Sequence, residues 1–218
     1  MDIHVLNIPV IGGAETIAVK LAKKVDHKSA IVSCININSS NFKKRFDIKS
    51  NNLFFFLKKI ITKNISRVFS HGIQAHSFVN IISLFSRYLL FKNFKTYNII
   101  HFDSHYVNKF WLKLFILTIR LSKPRLIYVS EFSFKRFQDF MDTKNFYTKI
   151  IYNSIDNKFF EAGKSIKKTQ IININKEINI GFIGRTNPIK RLPLFLEICI
   201  NLYLIKNKKY NFIIQSDI

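Results

Sequence analysis

The chain contains the segment INIGFIGR at residues 178–185, followed directly by TNPIKR at residues 186–191. β-Favouring apolar residues run into a glycine, and a helical spacing of apolar residues begins after Pro188. The segment therefore predicts a strand, a glycine loop and a helix. Such a loop presents backbone N–H groups where the helix dipole favours an anion, and Arg185 and Lys190 add two cations. The alternative is that both cations are simply solvated, as in any strongly basic chain.

A second glycine turn lies near the start of the chain. Residues 3–8 form an apolar run that ends at Pro9, which predicts the first buried strand of a parallel sheet. After Gly12 and Gly13, apolar residues recur with the spacing of one helix face. The glycine pair would let a phosphate or sugar approach the backbone at the helix start, with Glu15 in the first turn. A plain tight turn is the alternative interpretation.

Between and after these two turns, short apolar runs alternate with amphipathic segments, a pattern typical of an α/β fold with a parallel sheet. Residues 53–61 fit either a helix or a strand. The remaining predicted strands are residues 30–37, 67–70, 97–100, 126–129, 149–152 and 210–215, and the remaining predicted helices are residues 74–90, 107–121, 132–141 and 192–206.

Histidines follow two of the predicted strands. His71 comes after the strand at 67–70, and His101 comes after the strand at 97–100. The carboxyl ends of parallel strands border the crevice where ligands bind in open α/β sheets, so both histidines are candidate site residues. A structural or capping role is the alternative for His71. His101 and His105 have the spacing of two zinc ligands, but no third ligand follows, so a metal site is not expected.

Composition and charge restrict the class of protein. The chain has 218 residues, 48% of them hydrophobic, and 23 Phe, which is enough to fill a core and excludes a disordered chain. The net charge of +22 indicates anionic partners, namely nucleic acid, acidic lipid or phosphorylated substrates. Cys34 and Cys199 have no metal-binding or redox spacing and indicate a reducing compartment.

Membrane insertion is not expected from the sequence. The longest uncharged run, residues 68–86, contains several polar side chains, and the N-terminus lacks the basic leader and apolar core of a signal peptide. The helix at 107–121 combines aromatic and basic residues. It fits either core packing or contact with an acidic membrane surface.

Several short motifs occur in a fixed order along the chain: GGAE at 12–15, SHG at 70–72, VSE at 129–131, YNSID at 152–156 and GR at 184–185 followed by Lys190. In this order and spacing the chain resembles the family 4 glycosyltransferases of the GT-B fold. The resemblance implies an N-terminal acceptor-side Rossmann-like domain at 1–160, a linker at 161–177 and the start of a C-terminal nucleotide-sugar-binding domain at 178–218. The family's later glycine loop and paired glutamates do not appear, so the chain is expected to be truncated within its donor-binding domain.

The resemblance implies a retaining hexosyltransferase that moves a sugar from a nucleotide-sugar donor to a polysaccharide or lipid-linked acceptor. The expected context is the synthesis of bacterial cell-surface glycans, lipopolysaccharide or capsule, without a metal or other cofactor. The expected location is the cytoplasm, with peripheral attachment to the inner face of the plasma membrane. The alternatives are an inactive truncated remnant and a basic nucleic-acid-binding protein, although the sequence carries no nucleic-acid recognition motif.

The resemblance also implies roles for individual residues. The expected catalytic residue is His101, and the residues expected to hold the donor diphosphate are Gly184, Arg185 and Lys190. The acceptor-side residues are Gly12, Gly13, Glu15 and His71, and the remaining motif positions are Ser130, Asn153 and Asp156. Three positions depart from the family pattern: Ile99 replaces a threonine, and Ser154 and Arg191 replace glycines.

Overall fold

The structure, a computed structural model, describes residues 1–7, 12–24, 29–34, 53–62, 65–102, 104, 107–154, 157, 161, 177–184, 190–204 and 209–215. The chain divides into two compact units, Met1–Ser154 and Ile155–Ile218. The predicted linker at 161–177 lies outside the described residues apart from its two end positions.

A six-stranded parallel sheet forms the centre of the first unit. Its order is β2-β1-β3-β4-β5-β6, and each neighbouring pair is parallel. Chain order reverses between β1 and β3, which makes their carboxyl ends the switch point where ligands bind in such sheets. The strands are β1 Asp2–Leu6, β2 Ser29–Ser33, β3 Arg67–His71, β4 Lys95–Ile100, β5 Arg125–Tyr128 and β6 Thr148–Ile150.

Helices connect the strands of the first unit. The segment that fitted either element, Leu53–Ile61, is a helix. The helix predicted at 132–141 ends at Gln138. Just beyond it the amide of Phe140 bonds the carbonyl of Phe137 three residues earlier, which is a tighter turn than the α-helix makes. Residues 35–37 of a predicted strand lie outside the described residues. The described helices are α1 Gly13–Lys24, α2 Leu53–Ile61, α3 Ile73–Leu89, α4 Lys109–Ser122 and α5 Glu131–Gln138.

Apolar side chains are buried on both faces of the sheet, because successive residues of a strand point to opposite faces. On one face Val5 packs with α2 and α3, and Tyr128 packs with α4 and α5. On the other face Leu6 and Ile31 pack with Ala18 of α1. The sheet is thus covered by helices on both sides, as in other parallel α/β sheets.

Helix α3 is the longest of the described helices, and its buried side carries polar residues such as His76 and Asn80. Within the part of the chain that the structure describes, no helix is both long enough and apolar enough to cross a bilayer.

The second unit contains the strand, helix and strand that the sequence predicts, and residues 185–189 of the predicted loop lie outside the described residues. Strand β7 Ile178–Ile183 pairs in parallel with β8 Tyr210–Gln215, and helix α6 Leu192–Tyr203 connects them. The pairing continues one residue past β7, where the amide of Gly184 donates to the carbonyl of Gln215 at 3.1 Å.

Candidate functional site

The candidate site lies at the carboxyl edge of the six-stranded sheet. Because the strands are parallel, the segments at the ends of β1, β3, β4 and β5 emerge at one edge. In chain order these segments carry Gly12 with Gly13, then His71, His101 and Ser130. Residues separated by more than a hundred positions in sequence therefore lie along the same edge of the sheet.

The glycine turn after β1 leads directly into α1. The amide of Thr16 donates to the carbonyl of Gly12 at 2.9 Å, and the Thr16 hydroxyl donates to the same carbonyl at 2.6 Å. A Cβ added to Gly13 would meet no atom of the described residues within 4 Å. These residues therefore leave the backbone uncovered at the start of α1, where Glu15 lies in the first turn.

Gly72 is a glycine that the structure requires. Its φ is +96°, which side chains rarely adopt, and an added Cβ would lie 2.7 Å from the Nδ2 of Asn7. Asn7 occupies that space because its Oδ1 accepts a hydrogen bond from the amide of Ala75, at 2.7 Å, in the first turn of α3. The SHG motif thus fixes the end of β1 against the start of α3, which positions His71 between them.

Behind His71 lies a buried polar network that does not reach the site. The hydroxyl of Ser70 lies 2.7 Å from Nδ1 of His76 and donates to Oδ1 of Asn98 at 2.8 Å. The Nδ2 of Asn98 donates onward to Asn80 at 3.3 Å. All four side chains have no exposed surface. This serine and histidine therefore hold β3, β4 and α3 together, since no substrate reaches them.

Three histidines form a continuous row across the sheet face that α1 shares. Nδ1 of His4 lies 3.3 Å from Nε2 of His71, and Nδ1 of His71 lies 3.2 Å from Nε2 of His101. The ring planes are 25° and 24° apart and the centroids 5.5 Å and 5.4 Å apart, so successive rings are nearly parallel and meet edge to edge. Phe69 stacks on His4 from the neighbouring strand at 4.9 Å. The row runs from a buried strand residue to His101 at the carboxyl edge.

The histidines of this row are neutral at physiological pH. Burial lowers the pKa of His101 to about 4, and burial, with a smaller contribution from Arg67, lowers the pKa of His4 to about 4 against the opposing effect of Asp2. Burial and then the neighbouring imidazoles hold the pKa of His71 well below its ordinary value. Each ring therefore has one N–H donor and one acceptor nitrogen.

The other predicted residues of the first unit have simpler surroundings. Ser130 is the N-cap of α5, where its hydroxyl accepts from the amide of Ser133 at 3.1 Å. Asn153 is exposed. Asp156 lies outside the described residues, so the structure gives no account of its predicted role.

The glycine loop of the second unit follows β7. Gly184 ends the pairing with β8, and a Cβ on it would lie 3.7 Å from the Cγ of Lys190, so these two predicted residues are close together. Lys190 is exposed and stands two residues before α6. Arg185 lies outside the described residues. Arg191, at a position where the family has glycine, has φ 53° and ψ 41°, the left-handed conformation that glycine adopts most easily.

A metal site would need His, Cys, Asp or Glu side chains grouped around one point. Within the described ranges, no three His, Cys, Asp or Glu side chains are arranged to hold a metal ion. His105, the second histidine of the spacing noted in the sequence, lies outside those ranges.

Two residues of this edge were missed by sequence reasoning. His4 lies inside the first apolar strand, and Asn7 follows that strand directly. The available signal was a histidine in an otherwise apolar, fully buried run, since a buried imidazole needs a partner.

No protein-family model matches the chain, and no curated protein matches its sequence. Solved structures with the same fold do match. The crystal structure of Anabaena Alr3699/HepE in complex with UDP has a TM-score of 0.68 and 13% identity, covering 97% of this chain and 69% of that chain. Its complex with UDP and glucose has a TM-score of 0.62 and 14% identity, with coverage of 97% and 69%. Its complex with UDP-glucose has a TM-score of 0.64 and 14% identity, with coverage of 98% and 69%.

These similarities extend over nearly the whole chain. Together with the six-stranded parallel sheet flanked by helices, they confirm the predicted α/β fold of the GT-B type.

Proposed function

We propose that the protein is a glycosyltransferase that transfers a sugar from a nucleotide-sugar donor, a UDP-sugar, to a glycan or lipid-linked acceptor. The observation that carries the proposal is the three-dimensional similarity, over 97% of the chain, to a protein crystallised with UDP and with UDP-glucose. The order of the motifs, which resembles the family 4 enzymes, supports the same function. We also propose the retaining, hexosyltransferase type on that resemblance.

In this proposal the second unit holds the donor diphosphate through Gly184, Arg185 and Lys190. Support comes from the proximity of Lys190 to Gly184 and from its exposed ammonium group. During transfer the bond from the anomeric carbon to UDP breaks, and negative charge develops on the departing diphosphate. A cation held at that point stabilises the transition state more than the ground state, so no metal is required for this step.

The carboxyl edge of the first unit serves the transferring sugar and the acceptor. His101 is neutral and therefore able to hydrogen-bond a sugar hydroxyl. In the part of the chain that the structure describes, no atom lies within 4 Å of a Cβ added to Gly13, which supports a ligand against the start of α1. The carboxylate of Glu15 in that first turn disfavours a phosphate and suits sugar hydroxyls, so we assign the glycine turn to the acceptor side. His71 lines the same side.

For the acceptor we propose a polysaccharide or lipid-linked intermediate of a cell-surface glycan, lipopolysaccharide or capsule, made at the inner face of a bacterial plasma membrane. Helix α4 supports an anionic membrane surface as a partner, because one of its faces is buried and the other combines exposed apolar and basic residues. The exposed residues of that face are Lys109, Phe110, Lys113, Leu117, Arg120 and Leu121.

The direct test is titration of the full chain with UDP by calorimetry, followed by measurement of UDP release from a panel of UDP-sugars. Lys190→Ala is expected to weaken UDP binding about ten-fold, because it removes a charged phosphate partner. Lys209→Ala is the matched control, since Lys209 is also exposed but precedes β8 at the opposite end of the two-stranded sheet. Its affinity should stay within about two-fold of the unsubstituted protein.

The outcomes separate the alternatives. Absence of UDP binding, or equal losses in both variants, would contradict the proposed donor site. Binding without turnover on any acceptor would identify the chain as a non-catalytic relative. Salt-dependent binding to arbitrary DNA without UDP binding would favour the nucleic-acid alternative.

A further inference from the structure

The histidine row has an unpartnered end. The Nε2 of His4 is buried and has no hydrogen-bond partner among the described residues, while its Nδ1 contacts His71. The row continues through both nitrogens of His71 to the Nε2 of His101. The ring nitrogen of His101 that His71 does not engage is Nδ1.

Two hydrogen-bond directions are compatible with three neutral rings. In the first, His4 donates from Nδ1 to His71, which donates from Nδ1 to His101. In the second, both bonds are reversed, and His4 then carries its proton on Nε2. The first direction leaves a lone pair without a partner at the end of the row, and the second leaves a buried N–H without one. Buried N–H groups without partners are the rarer case in folded proteins, so the first direction is favoured.

The direction of the hydrogen bonds along the row fixes the tautomer of His101. When Nε2 of His101 accepts from His71, the single proton of the neutral His101 ring must lie on Nδ1. His101 then offers an N–H donor at the carboxyl edge. It offers no basic nitrogen there.

We propose that His4 and His71 are positioning residues that fix the tautomer of His101, so that its Nδ1–H donates a hydrogen bond to an oxygen of the bound sugar. The hydrogen bond from Nδ1–H of His101 to a sugar rests on the proposed function, whereas the tautomer of His101 is a property of the protein alone. His101 is thereby a binding and orienting group. It does not deprotonate the acceptor.

The aromatic neighbours hold this row in place. Phe69 is stacked on His4 at 4.9 Å and on Tyr97 of the next strand at 4.9 Å. The contact with Phe69 limits rotation of the His4 ring about its Cβ–Cγ bond and so keeps Nδ1 of His4 facing His71. A purely apolar residue at position 4 would fill the same space without a buried polar atom. The presence of an imidazole there is explained by the hydrogen bond it donates.

The experiment is nitrogen-15 NMR of the full chain labelled on histidine, in which long-range couplings report which ring nitrogen carries the proton. The six histidines of the chain make the spectrum small enough to assign by single substitutions. We expect His101 to be protonated on Nδ1 in the unsubstituted protein. Protonation on Nε2 would overturn the proposal without any variant.

Variants at position 4 test the coupling along the row. His4→Asp places a carboxylate, which can only accept, near the position of Nδ1. His71 then donates to it from Nε2 and accepts at Nδ1, and the proton of His101 is expected to move to Nε2. His4→Asn keeps an amide donor near the position of Nδ1 and should retain the original tautomer. Phe69→Leu is the matched control, because it alters the stacking on His4 and leaves the hydrogen bonds intact.

An unchanged tautomer of His101 in His4→Asp would contradict the coupling, and so would a change in Phe69→Leu equal to that in His4→Asp. If His4→Asp does not fold, the comparison of His4→Asn with the unsubstituted protein still tests the prediction. Where UDP-sugar turnover is measurable, His4→Asp should lower kcat roughly ten-fold with little change in the donor KM. If NMR shows the expected tautomers of His101 but no UDP-sugar is turned over, the assignment of the tautomer stands and the proposed function is contradicted.

Discussion

The two units of the chain contain similar apolar strands, which are buried in the first unit and largely exposed in the second. Each residue of β1 in the first unit is buried, whereas the residues of β7 in the second unit alternate between intermediate and exposed. Ile183 at the end of β7 is 82% exposed, and Ile200 of α6 is 63% exposed. An apolar, β-favouring run therefore specifies a strand locally, but burial is conferred by neighbouring strands and helices. In the first unit these neighbours are present on both faces.

The largest expected effect comes from truncating a buried side chain of the first unit, compared with an exposed apolar side chain of the second. Phe115 is fully buried and contacts the rings of His76, Phe102 and Phe137, so Phe115→Ala should lower the free energy of unfolding by about 4 kcal/mol. Ile200→Ala should change it by less than about 0.5 kcal/mol, because that side chain is mostly exposed. Denaturant titration measures both. A comparable loss from Ile200→Ala would mean that α6 is covered in solution.

Acidification should act on the first unit, which holds all the histidines of the chain. The pKa of His4 is about 4 in the folded protein against an ordinary 6.5, so the unfolded state binds more protons between these values. The stabilisation is thus complete above pH 6.5 and decreases as the pH falls, by about 3 kcal/mol for His4 at pH 4. The fluorescence of Trp111, the single tryptophan, reports unfolding of this unit. His4→Phe should flatten the pH dependence, and an unchanged slope would contradict the assignment.

Glycine substitutions compare the two motif turns. Gly72→Ala should cost about 2 kcal/mol, because it combines a positive φ with a clash against Asn7. Gly184→Ala should cost less than about 0.5 kcal/mol, since its Cβ would make ordinary contacts no closer than 3.5 Å. Thermal unfolding distinguishes them. If an Asn7→Gly change added to Gly72→Ala recovers no stability, the clash is not the cause.

The smallest expected effect concerns residues in the left-handed conformation. Arg191→Gly in the second unit and Lys123→Gly in the first should each stabilise the protein by roughly 0.5 kcal/mol, the relief of strain less the added entropy of the unfolded chain. Because this strain is local, the two units should respond alike in denaturant titrations. A loss of stability in Arg191→Gly alone would show that the arginine side chain makes a stabilising contact.

Much of the fold follows from local sequence patterns. The strand from Tyr210 to Gln215 has the predicted boundaries, and the parallel order follows from alternating strands and helices. The sequence does not distinguish a helix from a strand at Leu53–Ile61. The run FFFL places apolar residues at successive positions, so neither the helical nor the strand spacing of apolar residues is visible.

The candidate site was predictable only in part. His71 and His101 could each be placed at the carboxyl edge, since each comes at the end of a predicted strand. Their contact with one another and with His4 depends on the register of β1, β3 and β4, which local patterns do not specify. The clash at Gly72 was hidden for the same reason, since Asn7 lies 65 positions earlier in the chain.

The contact between Asn7 and Gly72 also restricts how the sequence can change. A larger residue at position 72 would need a smaller residue at position 7 to make room, and it would still have to adopt a positive φ. A smaller residue at position 7 would in turn remove the hydrogen bond to Ala75. The effects of substitutions at the two positions are therefore expected to be non-additive, and random libraries that vary both positions should mostly return the original pair.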